Sequence, residues 1–271
     1  MKLSLAQRTD FFEIVWSHYH AHGRKNLPWR IPEADGHFDP YKILASELML
    51  QQTQVSRVEA KYQAFLKEFP TVQSLASAPL ADVLRAWQGL GYNRRAKFLW
   101  QSAQALATQP TFPKTVQELV KLPGVGVNTA GAIVAYAFNE PVVFVETNIH
   151  TVYIYHFTQD SQIVSDDFIR DLLRCTIDTQ HPREWYWALM DYGAWLKKQV
   201  QNTKQSKHYS IQTKFQGSRR QIRGAIIRFL SEDPMTNKKL EKAVNDPRFE
   251  AVANELIREG LVQQGHGKYW L

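Results

Sequence analysis

A five-residue turn, Leu122-Pro123-Gly124-Val125-Gly126, constrains this chain more than any other stretch. Its glycines admit backbone geometry and close approaches that other residues resist. The turn opens directly onto an apolar helix expected from Asn128 to Phe138. A short apolar run, Val142 to Val145, then delivers a single carboxylate, Glu146, just before another helix start at Thr147-Asn148. Amide N–H groups at the start of a helix lack partners and carry partial positive charge, so such a turn can hold a phosphate oxygen. A plain turn is the bland alternative, because Gly-x-Gly is a common spacing.

Around this centre the chain reads as helix after helix. Apolar positions at helical spacing (Phe12, Val15, Trp16, Tyr19) predict an amphipathic helix over 5–21. A loop from Gly23 to Pro40 follows, then a helix from Tyr41 to Gln52 carrying Glu47 in an apolar setting. Further helices are expected at 54–68, 80–88, 93–108, 114–121, 127–138, 147–157, 165–178 and 182–198, separated by short loops with Pro or Gly. Residues 199–217 are polar and poor in aliphatics, the composition of a linker. Residues 218–271 predict a small domain: helices from Arg220 to Leu230, from an N-cap at Thr236 through Val244, and from Arg248 to Arg258, then two strands around Gly265-His266-Gly267. Three helices and a terminal hairpin is the winged-helix pattern. Such a domain serves either DNA or protein partners.

A chain of 271 residues accommodates one large or two ordinary domains. The net charge of +7 is compatible with a polyanionic partner, and no acidic residue stands between Asp191 and Glu232. The lysines there, Lys204 and Lys207 among them, either solvate a connector or track a phosphate backbone. The single cysteine, Cys175, excludes an internal disulfide and any all-cysteine metal site; a small buried side chain on an apolar helix is expected for it. No signal-peptide core and no apolar run near ~18 residues is present, so a soluble, intracellular, cytoplasmic or nucleoid-associated protein without a membrane is expected.

Glu47 and Glu146 stand out as carboxylates preceded by apolar residues. A carboxylate in a dry pocket resists ionisation and can act as an acid near neutral pH. A second one kept ionised can support positive charge on a sugar, which is the two-carboxylate logic of glycoside cleavage. Capping or salt-bridging is the ordinary role of either residue taken alone.

Several motifs resemble the MutY-type adenine DNA glycosylases of the helix-hairpin-helix superfamily. They are Tyr41-Lys42-Ile43-Leu44-Ala45-Ser46-Glu47-Leu48-Met49-Leu50-Gln51-Gln52-Thr53-Gln54-Val55, Trp87-Gln88-Gly89-Leu90-Gly91-Tyr92, Leu122 to Gly126 with Thr129-Ala130-Gly131-Ala132-Ile133, and Met190-Asp191-Tyr192-Gly193-Ala194. The resemblance runs in order from about residue 10 to 197. It implies a mainly α fold of two helical subdomains over 1–198, here followed by the linker and the winged-helix-like α+β segment. It also implies a monomer that flips a base out of double-stranded DNA and hydrolyses its N-glycosidic bond in base excision repair. Glu47 matches the general acid that protonates the leaving adenine, and Asn148 a polar helper beside the second carboxylate. Gln51 and Gln52 match residues near the extruded nucleotide and its opposite base, and Tyr92 the wedging aromatic. The turn, with Leu122, Gly124 and Gly126, matches the hairpin that grips a DNA phosphate, often with a sodium or potassium ion on the backbone of Leu122 and Gly124.

The chain departs from the family pattern in ways that bear on chemistry. Glu146 stands where the family has Asp, which moves the carboxylate out by about one methylene. Asn128 stands where related lyases carry a lysine, and an amide forms no Schiff base, so a monofunctional glycosylase is expected. Lys197, Lys204, Lys207 and Thr213 fall at about the spacing of the family's four cluster cysteines, so no iron–sulfur cluster is expected. The family's C-terminal domain, which reads oxidised guanine, is replaced, and Asn93 follows Tyr92 where a second tyrosine is common. Removal of uracil, thymine or hypoxanthine from a mismatch is the enzymatic alternative. A DNA-binding protein that has lost catalysis is the other.

Overall fold

The computed structural model describes residues 3–158, 164–200 and 214–271. Lys204 and Lys207, with most of the expected linker, lie outside the described residues. The mainly α fold expected from the sequence is present. In chain order the helices are α1 (Leu5–His22), α2 (Pro40–Leu50), α3 (Val55–Glu68), α4 (Val72–Ser77), α5 (Leu80–Ala86), α6 (Arg94–Ala107), α7 (Val116–Leu119), α8 (Val127–Phe138), α9 (Thr147–Phe157), α10 (Asp166–Thr176) and α11 (Pro182–Gln199). Then come α12 (Arg219–Glu232), β1 (Met235–Thr236), α13 (Asn237–Val244), α14 (Phe249–Arg258), β2 (Gln263–Gly265) and β3 (Lys268–Trp270). Among the described residues no helix is long and apolar enough to cross a membrane.

The chain divides into two compact units, one of 1–43, 114–120 and 125–211, the other of 44–113, 121–124 and 212–271. In the first unit α8 is buried on nearly every side from Ala130 to Ala137, as its unbroken apolar sequence requires. Phe11 of α1 packs its ring 5.2 Å from Tyr153 of α9 and 5.9 Å from Trp185 of α11. Pro182 opens α11, where a missing N–H costs nothing.

The second unit centres on buried Leu48, Phe65, Leu75, Leu84, Trp87 and Leu99. The C-terminal segment belongs to this unit: Arg85 Nε donates to the Ser231 carbonyl at 2.9 Å, and Lys97 Nζ to that of Glu259 at 2.5 Å. Its sheet is antiparallel in the order β1-β3-β2, with Tyr269 facing both Met235 and Gln264. This is the winged-helix-like arrangement.

Several local expectations need correction. Cys175 is exposed, not buried. The apolar face of α10 is Ile169, Leu172, Leu173 and Thr176, and a 3.6-residue period turns Cys175 away from it. The Thr236 residue is the N-cap of α13, but its hydroxyl makes no capping bond; the residue is spent on strand β1 instead. Helix α4 was not expected: a reciprocal cap between Thr71 and Ser74 closes its first turn.

Candidate functional site

In the second unit, α2 ends at Leu50 and leaves its last carbonyls without helical partners. Arg95, from the first turn of α6, answers them. Its Nη1 donates to the carbonyls of Leu48, Met49 and Gln51 at 2.7, 2.8 and 2.5 Å. Its Nη2 donates to Thr53 Oγ1 and to the carbonyls of Leu90 and Gly91 at 2.9, 3.1 and 3.0 Å. One buried guanidinium therefore ties the Gln51–Thr53 loop to the Leu90–Tyr92 loop. Burial lowers its pKa to about 10, with Tyr92 acting in the opposite direction, so it remains a cation at pH 7.

Both loops carry a residue in the left-handed region, Gln52 at φ 55° and Tyr92 at φ 47°. That geometry is uncommon outside glycine and stores roughly 1–3 kcal/mol per residue. It persists because the Arg95 fork fixes the carbonyls beside each. Arg220 of α12 donates to the Tyr92 hydroxyl at 2.8 Å, and its guanidinium lies 5.6 Å from the ring centroid. A cavity of about 460 Å³ opens here, walled by Gln51, Gln52, Tyr92, Phe98, Arg220 and Gly224 among others.

Gly124 sits at φ +77°, and a Cβ on it would meet Phe98 at 2.7 Å. Ser102 Oγ donates to the Pro123 carbonyl at 3.0 Å, and Gln51 Nε2 lies 3.5 Å from the Gly124 carbonyl. Gly126 is the N-cap of α8 and makes no side-chain cap. The turn thus ends on the amide end of a helix, as the sequence implies.

In the first unit, Asn128 pins the segment that carries the second carboxylate. Its Oδ1 accepts the Val145 N–H at 3.2 Å and Arg170 Nη2 at 3.2 Å. The Tyr186 hydroxyl donates to the Val142 carbonyl at 2.6 Å. Glu146 is the N-cap of α9, yet its side chain makes no capping bond. The amide end of α9 favours the ionised carboxylate, and burial opposes it. Burial prevails and pushes the Glu146 carboxyl up to about 6.

Asn148 stands two residues on, with its Nδ2 donating to the Met190 carbonyl at 3.2 Å. A Cβ on Gly193 would lie 2.3 Å from the Asn148 carbonyl oxygen, so α9 and α11 touch there backbone to backbone. On α11, buried Asp191 accepts from Arg30 Nη1 and Nη2 at 2.7 and 3.0 Å and from the Arg24 N–H at 2.8 Å. Burial raises the Asp191 carboxyl, but the bonds and charge of Arg30 and then Arg24 outweigh it and hold it low. Within the Met190–Ala194 motif, the Met190 carbonyl and Gly193 thus seat the start of α9, while Asp191 anchors Arg24 and Arg30.

The structure brings Gln51, Gln52 and Tyr92 together with the turn at Leu122–Gly124 in the second unit, and Asn128, Glu146 and Asn148 together in the first. Glu47, half-buried on α2, belongs to the second unit. Sequence reasoning missed Arg95, Asp191 and Arg220. Asp191 and Arg220 have partners more than a hundred residues away, and Arg95 joins two loops from 4 to 47 residues before it. Among the described residues no cluster of three or more His, Cys, Asp or Glu could hold a metal ion.

Residues 45–174 match the model of the HhH-GPD superfamily base excision DNA repair protein. The chain is 37% identical over 190 residues to an adenine DNA glycosylase of Buchnera aphidicola subsp. Baizongia pistaciae (strain Bp), covering 68% of this chain and 52% of that one. It is 32% identical over 275 residues to an adenine DNA glycosylase of Mycolicibacterium smegmatis, covering 91% and 90%. The match thus spans about half the Buchnera relative and nearly all of the mycobacterial one. Among solved structures, a thermostable thymine-DNA glycosylase shares the fold with TM-score 0.60 and 22% identity, over 70% of this chain and 87% of that one.

Proposed function

The chain belongs to the MutY-type adenine DNA glycosylases of the HhH-GPD superfamily of base excision DNA repair proteins, and from that premise we propose that it excises a flipped adenine from mispaired double-stranded DNA as a monofunctional, monomeric enzyme. Glu47 protonates the leaving base at a ring nitrogen, so that adenine departs neutral. Glu146, ionised, stabilises the sugar cation or activates the incoming water. Asn148 positions the turn that carries it. Gln51, Gln52 and Tyr92 meet the duplex at the opened pair, where an inserted side chain offsets unstacking. The turn from Leu122 to Gly126 grips a phosphate.

The observation that carries this reading is Glu146 itself. Its carboxylate stands half-buried at a helix N-terminus, makes no capping bond, and sits at the end of a segment held from two sides. A carboxylate kept in so costly a place without a structural bond fits a chemical task. Strand cleavage through position 128 does not follow, since the Asn128 amide is no nucleophile and accepts two bonds.

An iron–sulfur cluster does not fit this chain. The cluster needs several thiolates, and the one cysteine, Cys175, is exposed on α10. A sodium or potassium ion on the carbonyl oxygens of Leu122 and Gly124 does fit, because hard cations take oxygen donors; it would add positive charge beside the phosphate.

The test is a panel of mispaired duplexes with alkaline cleavage of any abasic product. Adenine release is expected, and Glu47→Gln abolishes release while leaving binding. Full activity in Glu47→Gln, release of another base, or none at all overturns the reading.

A further inference from the structure

We propose that the C-terminal segment acts on the wedge itself: Arg220 of α12 is a positioning residue that holds the side chain of Tyr92 in the pose from which it enters the base stack. This rests on the reading of Tyr92 as the inserted aromatic. It gives the segment from Arg219 onward a task that the reading above leaves unassigned.

Tyr92 is held at two ends. Its backbone is left-handed at φ 47°, and Arg95 Nη2 binds the Leu90 and Gly91 carbonyls just before it. Those bonds act on the main chain. The side chain is half-buried, and ordering it costs rotamer freedom that some contact must offset. Arg220 supplies such a contact. Its Nη1 donates to the Tyr92 hydroxyl at 2.8 Å, and its guanidinium carbon lies 5.6 Å from the ring centroid. The Arg95 guanidinium lies 5.5 Å from the same centroid. A hydrogen bond from a charged donor is shorter and stronger than one between neutral groups.

Arg220 is in turn fixed by its helix. Ile222, Ile226, Ile227 and Leu230 of α12 are buried. Arg85 of α5 donates to the Ser231 carbonyl in the last turn of α12, and Lys97 of α6 to the Glu259 carbonyl at the end of α14. Both anchors come from the helices that flank the Tyr92 loop, since α5 ends at Ala86 and α6 begins at Arg94. The neighbouring arginines of α12 are taken up by α14: Arg219 pairs with Glu255, and Arg223 with Glu259. Arg220 turns to the loop instead, reaching a tyrosine 128 residues earlier in the chain.

A wedge works by pushing stacked bases apart, and a ring that swings aside loses the displacement. A brace from a second helix keeps the ring in place before DNA arrives, so less ordering remains to be done during insertion.

The experiment follows extrusion itself. A duplex carries fluorescent aminopurine in place of the adenine of an adenine–guanine mispair, and stopped-flow mixing with the full chain records the rise in fluorescence as that base leaves the stack. Arg220→Gln, Tyr92→Phe, the two combined, and Tyr92→Ala are compared with wild type. Tyr92→Phe keeps the ring and removes only the accepted bond. Arg220→Gln and Tyr92→Phe are each expected to slow extrusion by about ten- to a hundredfold, the worth of a hydrogen bond to a charged group. The combined variant should be no slower than the slower single one, because both changes remove one interaction. Affinity for a fully paired duplex, and its slope against salt, should stay at the wild-type value. Thermal melting checks folding, and Tyr92→Phe carries the test should Arg220→Gln not fold. A wild-type extrusion rate in Tyr92→Phe overturns the proposal. So do additive losses in the combined variant, and so does an Arg220→Gln defect confined to affinity and salt slope, which would assign the arginine to a phosphate. Tyr92→Ala separates these failures from failure of the wedge reading: if it extrudes as fast as wild type, Tyr92 is not the wedge and the proposal falls with that reading. If wild type gives no fluorescence rise, the base-flipping reading falls first.

Discussion

Asn128 accepts the backbone N–H of Val145 at 3.2 Å, one residue before Glu146. The bond holds an extended run that has no sheet partner to fix it, and Arg170 Nη2 holds the same oxygen from the other side. Asn128→Ala removes the acceptor and leaves the Val145 amide unsatisfied, which costs about 1–3 kcal/mol. Displacing Glu146 by ~1 Å lowers single-turnover base release by as much as ~100-fold. Asn128→Asp keeps the acceptor and faces Arg170, so it restores most of the rate. Release kinetics beside thermal melts of the two variants check this; equal loss in both would show that the bond does not position Glu146.

Arg95 is the corresponding device in the other unit. Its fork joins the Gln51 and Leu90–Gly91 carbonyls, with the Thr53 hydroxyl as a weaker second link between Gln51 and Leu90, so the left-handed Gln52 and Tyr92 lean on it. Arg95→Lys keeps the charge but loses the fork, because an ammonium cannot span carbonyls on both loops. A stability loss of about 2–4 kcal/mol is expected from the orphaned acceptors. DNA affinity should fall further than the same loss produced by a core substitution such as Leu75→Ala. Urea melts and fluorescence anisotropy on one duplex make the comparison, and equal affinity in the two variants would remove Arg95 from the loop-positioning role.

Gly193 sets the distance between α9 and α11. A methyl group there would sit 2.3 Å from the Asn148 carbonyl oxygen, a backbone atom that cannot rotate away. Gly193→Ala must therefore push the first turn of α9, and overpacking of this kind costs roughly 1–3 kcal/mol. Because Glu146 begins that turn, the rate of base release drops more than DNA affinity does. A melt and a paired rate and binding measurement suffice; unchanged kinetics would mean that α9 moves without carrying Glu146.

The features legible in the sequence were those with local causes. The glycine turn, the apolar α8 and the N-cap position of Glu146 are written within a few residues of one another. Asp191 was visible only as part of a motif, because Arg24 and Arg30 lie more than 160 residues away in sequence. Arg220 meets Tyr92 across 128 residues, and Arg95 joins two loops 4 to 47 residues before it, so neither role is written locally. Cys175 was misread because helix periodicity, not the apolar character of the helix as a whole, decides which side faces the core. Strand β1 escaped notice because two residues are too few to show alternation. Its pairing with β3 is supplied by residues at the far end of the segment.

The raised Glu146 carboxyl makes opposite demands on stability and on chemistry. Burial lifts it from 4.5 to about 6 in the folded chain. Between those values the folded state holds a proton that the unfolded state has released, so stability falls as pH rises through the window. Above it, the ionised side chain costs the fold up to ~2 kcal/mol, since each pKa unit is worth about 1.4 kcal/mol. Activity runs the other way. If the ionised carboxylate supports the sugar cation or activates water, base release rises with pH and levels off above about 6. Glu146→Gln should remove both trends: it should be more stable than wild type at pH 7, equal to it near pH 4.5, and slow at every pH. Glu146→Asp shortens the arm towards the family's residue and should keep the pH limb even where the rate drops. Urea melts and single-turnover release from pH 4.5 to 8 resolve the two effects. A Glu146→Gln variant that retains the acid limb would assign that titration to another group.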